Sequence, residues 1–319
     1  MAVTRPTATP PGALDFTGEA ARRRRALQHA TMEVLQRAGY EELIPPTLEY
    51  QETFLRAGGP SVAERLIRFP DRDGRILALR YDFTASLARV AATTFAGAPH
   101  PLRLSYSGPV YRQDPERGGR PREILQVGAE LLGSGDLAAD VELVRLTIAL
   151  LRAAGLEDFQ LNLGHAGILA PGLAAVSDDV RADVRRWIDR KDRGNLCRAL
   201  AEATGDAATL AVLPFIIGRR AALASALGLA PRAAAPGLEH LLALDAALAS
   251  AERGHVVYDL GEVRGLEYYT GIHFEVYVAG AGRAVGTGGR YDELMARFGR
   301  PMPAVGVSLD LDALAEVPR

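Results

Sequence analysis

Arg112, Gln126 and Glu130 are the side chains whose types and spacing first point to chemistry. They flank a polar loop, QDPERGGRPR, between two stretches that read as strands, residues 107–112 and 124–132. Alternation along a strand puts Gln126, Gly128 and Glu130 on one face, with Arg112 at the end of the neighbouring strand. A guanidinium fork meets a carboxylate or phosphate through two parallel bonds, and Gln and Glu oxygens accept from an ammonium group. A cross-strand ion pair between Arg112 and Glu130 accounts for the same residues without a ligand. A second segment, RGLEYYTG over residues 264–271, sets an arginine beside two tyrosines just before a strand. It reads as the lining of a pocket for a small amino-acid-like ligand. In the strand itself, Ile272, Phe274, Val276 and Val278 share one face, and His273, Glu275 and Tyr277 the other.

Other chemistries are poorly served. The glycines between Gly280 and Gly289 follow a strand, but their spacing is not that of a dinucleotide-binding fingerprint and no βαβ unit surrounds them. Lys191 is the only lysine, which excludes a Walker-type phosphate loop and disfavours Schiff-base chemistry. Cys197 is the only cysteine, so neither an internal disulfide nor a cysteine zinc site is possible. The six histidines show no close ligand spacing, and no metal site is expected. The formal charge of −2 gives no basic surplus for nucleic acid. No apolar run approaches the roughly 18 residues of a membrane span. The Pro/Thr-rich N-terminus lacks the apolar core of a signal peptide, so a cytoplasmic protein is expected.

These residues need elements to position them. Residues 19–38 form an amphipathic helix closed by Gly39, with the arginines at 22–25 read as a solvated face or as a phosphate or partner contact. A short strand, residues 42–44, stops at Pro45 and Pro46. Asp73-Gly74 turns the chain into a strand at 76–80, and residues 136–154 make a second strong helix. Residues 165–252 are Ala-rich and read as mostly helical. From 255 to 309 the strands follow one another through short turns, which points to an antiparallel sheet.

Taken together, the segments resemble a known family. YSGPVYRQDPERGGRPREILQVGAELLG looks like motif 2 of the class II aminoacyl-tRNA synthetases in its histidyl form. The first helix plus YEELIPPTLEY resembles the dimer-forming motif 1, and LRYDFTASLAR the short histidine-contacting stretch. VRGLEYYTGIHFEVY and GTGGRYDEL are similar to signatures of histidyl-tRNA synthetases and their paralogues. The resemblance implies an α+β fold with a synthetase-like core, an antiparallel sheet flanked by helices and a helical insertion. It implies a histidine pocket in which Asp82 and Thr84 meet the ligand's amino end, Asp82 standing where the family usually has Glu. Arg112 matches the motif 2 arginine, Gln126 and Glu130 match residues that hold the amino acid, and Arg264 clamps the ligand carboxylate. Tyr268, Tyr269 and Tyr291 shape the imidazole slot.

The departures from the synthetase pattern carry as much weight. Ala313 stands where motif 3 has the arginine that sandwiches adenine, and Asp310 where a small residue allows close approach to phosphates. Asp114 replaces the usual motif 2 glutamate. The expected organisation is a disordered tail over residues 1–14 and one core over 15–319 with a helical insertion at about 165–252. Neither an anticodon-binding domain nor a tRNA partner is expected. A histidine pocket without ATP machinery resembles the regulatory subunits of ATP phosphoribosyltransferase, the first enzyme of histidine biosynthesis. That resemblance implies no catalytic residue and no cofactor. It implies a short-form catalytic subunit as partner, a dimer formed through the motif 1 region and L-histidine as effector. The alternative from another class is a stand-alone enzyme that makes histidyl adenylate without tRNA.

Overall fold

A computed structural model describes residues 8–113, 121–263 and 268–317 of the chain. Its strands, in chain order, are β1 (Glu41–Glu42), β2 (Leu48–Tyr50), β3 (Arg68–Pro70), β4 (Ile76–Leu79), β5 (Leu102–Tyr111) and β6 (Glu123–Leu132). They continue with β7 (Phe159–His165), β8 (Ile217–Gly218), β9 (Val256–Asp259), β10 (Ile272–Val278), β11 (Gly286–Arg290) and β12 (Ala304–Asp310). Nine of these form one sheet in the order β1-β5-β6-β12-β11-β10-β7-β9-β8, and β2-β4-β3 make a small second sheet.

The main sheet is antiparallel from β5 through β6, β12, β11 and β10 to β7, although of these pairs only β5–β6 and β10–β11 are joined directly, without another element between them. It is mixed at its flanks, where β1 runs parallel to β5 and β9 parallel to β7. The expectation of an antiparallel sheet over residues 255–309 therefore fails at β9. Parallel neighbours need a long crossover, and the chain between β7 and β9 supplies one, containing helices at Ala166–Ala174, Asp178–Asp189, Arg193–Ala199, Arg220–Leu227 and Ala235–Ala247.

Period-two patterning places the core and the pocket on opposite faces. On β6, Leu125, Val127, Ala129 and Leu131 enter the main core, which leaves Gln126, Gly128 and Glu130 on the other face. On β12, Val305, Val307 and Leu309 do the same, leaving Gly306, Ser308 and Asp310 opposite. Helices Gly18–Arg37 and Leu137–Ala153 cover the core face, the first through buried Leu27, Thr31 and Leu35 at four-residue spacing. Gly39, at φ +82°, makes the left-handed turn that ends that helix. A second cluster with Phe54, Phe83, Leu104, Tyr106 and Tyr291 packs on the pocket face.

Two expectations about the chain's start change. Residues 1–7 lie outside the described part, but Pro10 to Ala13 form a turn and the Gly12 carbonyl accepts the Arg122 N–H at 2.7 Å. The last residues of the tail expected over 1–14 are thus pinned beside the start of β6. The arginines at 22–25 are not simply a solvated face. Arg24 forms a two-point pair with Asp312 at 2.6 and 3.3 Å, and Arg23 donates to the Val317 carbonyl. Asp312 also accepts the Leu125 N–H at 2.7 Å, so one carboxylate joins the first helix, the last helix (Leu311–Glu316) and β6.

Candidate functional site

Glu130 lies at the centre of the pocket face. On β6 it is flanked by Leu104 of β5 and Gly306 of β12. A β-carbon on Gly306 would fall 1.6 Å from Glu130 Oε2, so only glycine leaves room for that carboxyl. Thr84 Oγ1 donates to Glu130 Oε1 at 2.8 Å, and the Tyr291 hydroxyl donates to Oε2. The side chain is 2% exposed. Burial pushes its carboxyl from the ordinary 4.5 up to about 8, outweighing the two hydroxyl donors that favour the anion. The same burial, with the Glu130 charge nearby, raises the Tyr291 and Tyr268 hydroxyls well above their usual range.

Above this carboxyl the aromatic side chains build a slot. Tyr268 lies 5.1 Å from Tyr291 and edge-on to Tyr269 at 5.2 Å, ring centre to ring centre. Tyr269 is stacked on His273 at 5.6 Å with ring planes 10° apart, and its hydroxyl meets Thr287. Tyr106 is stacked on Phe83 at 4.2 Å. It crosses directly over Gly128, where a β-carbon would be 2.3 Å from its hydroxyl.

The wall opposite is the N-terminus of the helix Phe83–Thr93. Asp82 caps it, its Oδ1 accepting the Ala85 N–H at 2.9 Å. Burial raises the Asp82 carboxyl, opposed by that bond and by the Arg112 charge. Arg112 lies over the Tyr81 ring at 4.9 Å and donates from Nε to the Tyr81 carbonyl at 3.1 Å. The cross-strand pair of Arg112 with Glu130 does not form, because the register sets Arg112 beside Arg122 while Glu130 faces Leu104.

Asp82, Thr84, Arg112, Gln126, Tyr268 and Tyr269 line one cavity of about 780 Å³. Glu130 and Tyr291 lie beneath its surface, joined to it through Thr84 and Tyr268. Arg264 falls outside the described residues, as do residues 265–267 and Asp114. Tyr106, Glu262, His273, Thr287 and Ser308 also line the cavity and were not singled out from the sequence. His273 offered one signal, its shared face with Glu275, yet it is 1% exposed because Tyr269 covers it.

Arg65, Arg112, Arg122 and Arg283 also line the cavity, Arg65 and Arg112 over the Tyr81 ring and Arg283 against Asp310. There Asp310 is committed twice. Its Oδ1 caps the last helix through the Ala313 N–H, and its Oδ2 pairs with Arg283 at 2.6 Å. Its negative charge is thus matched by Arg283 rather than left facing the cavity alone. Ala313 is buried in the last helix and offers no cation. Among the described residues, no group of three or more His, Cys, Asp and Glu is placed to hold a metal, and no helix is long and apolar enough to cross a membrane.

Comparison with known proteins gives a consistent result. The family model described as histidyl-tRNA synthetase matches residues 12–314. An ATP phosphoribosyltransferase regulatory subunit from Moorella thermoacetica is 40% identical, over 98% of this chain and 82% of its own. One from Geobacter metallireducens is 36% identical, over 96% of this chain and 72% of its own. The crystal structure of an ATP phosphoribosyltransferase regulatory subunit/histidyl-tRNA synthetase from Bacillus halodurans superposes with a TM-score of 0.89 at 32% identity, covering 99% of this chain and 84% of that one. The chain therefore belongs to the histidyl-tRNA synthetase-like family that includes the ATP phosphoribosyltransferase regulatory subunits.

Proposed function

We propose that this chain is a histidine-sensing regulatory subunit that a short-form ATP phosphoribosyltransferase catalytic subunit requires for activity, in a cytoplasmic complex. The observation that carries the reading is the buried Glu130 beneath the tyrosine slot, held by Thr84 and Tyr291. An imidazole offers one N–H donor and one ring-nitrogen acceptor. Both Glu130 oxygens are held by Thr84 and Tyr291 beneath the cavity surface, so the carboxyl acts through them: the hydroxyls of Thr84, Tyr268 and Tyr269 line the cavity, and a hydroxyl can meet either as donor or acceptor. Asp82, Thr84 and Gln126 are assigned to the ligand's ammonium end, and Arg112 with Arg264 to its carboxylate. Tyr268, Tyr269 and Tyr291 confine the ring. None of these residues needs to transfer a group; the chemistry belongs to the partner.

Regulation then follows from linkage. Histidine shifts the assembly between active and inhibited states by its difference in affinity for the two, and by no more. Self-association is assigned to the motif 1 region, where Ile44, Leu48 and Tyr50 stay exposed around the short edge strand β1. The arginines in the cavity lining favour the second reading, histidyl-adenylate formation without tRNA. Against it stand the Arg283–Asp310 pair and Ala313, which leave the last helix without a cation for a triphosphate.

Gel filtration and a transferase assay on this chain mixed with a short-form catalytic subunit decide between the two. A larger co-eluting species with gained, histidine-inhibited transferase activity is expected. Histidine-dependent exchange of pyrophosphate into ATP by the isolated chain, without such an assembly, would overturn the regulatory reading.

A further inference from the structure

Beside the pocket, and outside its lining, lies a buried group of charges that the slot itself does not use. Asp140, on the helix Leu137–Ala153, is fully buried. Its Oδ1 receives two bonds from Arg290, from Nε at 2.9 Å and Nη2 at 2.7 Å. Its Oδ2 receives His240 Nε2 at 2.7 Å, from the helix Ala235–Ala247 of the β7–β9 crossover. Arg290 also donates from Nη1 to the Ser134 carbonyl and to Asp292.

Arg290 is placed where it can orient Tyr268, Tyr269 and Tyr291. It is the residue before Tyr291, and Asp292 on the other side holds Ala304 N–H at 2.9 Å. Its own carbonyl accepts the Thr270 N–H at 2.7 Å, and Thr270 Oγ1 accepts the Asp292 N–H at 3.0 Å. Those bonds fasten the turn that carries Tyr268 and Tyr269. The turn presses on the arginine so closely that a β-carbon at Gly271 would fall 2.9 Å from Arg290 Cδ. The Gly271 carbonyl in turn accepts the Ala166 N–H at 2.9 Å, next to His165, whose ring lies 5.4 Å from that of His240.

Stability alone is a poor reason for such a group, since apolar residues of like volume often replace a buried ion pair at no loss. What it provides is fixed geometry between two elements 100 and 150 residues apart from Asp140 in sequence. We propose that Asp140, Arg290 and His240 form a positioning relay. Through it, the docking of helix Ala235–Ala247 sets the orientation of Tyr268, Tyr269 and Tyr291, so slot occupancy and docking of this helix are energetically linked. The proposal rests on the assignment of histidine to the slot. By reciprocity, whatever binds that helix changes histidine affinity by the factor by which histidine changes its binding.

His240 is the member to perturb, because its side chain is 30% exposed and Arg290 still holds Asp140 Oδ1 without it. Calorimetry with L-histidine and amide hydrogen exchange of residues 235–247, with and without histidine, are read on the full chain, H240Q and H240L. Wild type should bind histidine and exchange more slowly over 235–247 when it does. H240L should lose that ligand-induced slowing and bind between about 2-fold and about 30-fold more weakly, the usual range for coupling residues that touch no ligand. H240Q keeps an N–H for Asp140 and should stay within about 2-fold of wild type. H240L with wild-type affinity and wild-type ligand-induced protection overturns the relay while leaving the slot standing. A wild-type chain that binds no histidine overturns the slot assignment and the relay with it.

Discussion

Glu130→Gln isolates the titration at the heart of the pocket. In the folded chain the Glu130 carboxyl loses its proton near 8, against about 4.5 for an ordinary glutamate. Between those values the folded protein holds a proton that the unfolded chain has released. Folding stability from this group is therefore fully present below about pH 4.5 and drains away as pH rises through 8. Each pH unit inside that window is worth about 1.4 kcal/mol. From about pH 6 to about pH 8 the ligand-free wild type should lose about 2 kcal/mol through Glu130, allowing for its partial ionisation near the upper limit. With the side chain 2% exposed, solvent screening does little to reduce this. Glutamine does not titrate, and its N–H₂ stands where the protonated carboxyl has its O–H, so near pH 6 the variant should lie within about 1 kcal/mol of wild type. Relative to wild type it should then gain about 2 kcal/mol on going to the higher pH. Urea unfolding of both proteins at the two pH values, without histidine, measures this, and every other titrating group cancels in the comparison. Parallel stability profiles would refute the claim that Glu130 is held protonated by burial.

Gly306→Ala should displace the Glu130 carboxyl, since the new methyl would lie 1.6 Å from Oε2. About 2 kcal/mol of stability should go with it, and calorimetry should show histidine binding weakened at least about tenfold, the equivalent of about 1.4 kcal/mol. Asp310→Ala removes the cap of the last helix and releases Arg283 towards the cavity. A loss of about 1 kcal/mol in chemical unfolding is expected, and an unchanged unfolding midpoint would show that neither bond contributes.

The pocket face of β6 was legible in the sequence because period two with a glycine in the middle leaves little freedom. Leu125, Val127 and Ala129 had to enter the core, so Gln126, Gly128 and Glu130 had to face away. The motif resemblance brought in Asp82, Thr84 and the three tyrosines, which lie 46 to 161 residues from Glu130 in sequence. Residues that meet only through sheet order stayed hidden. Ser308 reaches the cavity because β12 pairs with β6, and Tyr106 because Gly128 lets its ring cross. The Arg24–Asp312 pair spans 288 residues, so the basic run looked solvated. The parallel flank at β9 was missed because nothing in a four-residue strand tells which neighbour it will choose.

The pairing of β6 with β12 also sets a timetable for the chain. Residues 123–132 emerge from the ribosome long before residues 304–310, yet each covers one edge of the other in the finished sheet. Until β12 arrives, β6 has only its hairpin partner β5 and shows an open edge beside the strand's buried glutamate. A contact of such sequence separation forms late and slowly. The nascent protein thus passes through a stage with half a pocket and an unpaired strand edge, the kind of surface on which chaperones act and aggregation begins. The complete pocket is therefore assembled in one of the last steps of folding, and on the proposed function a chain truncated before β12 would present only part of the slot to a ligand.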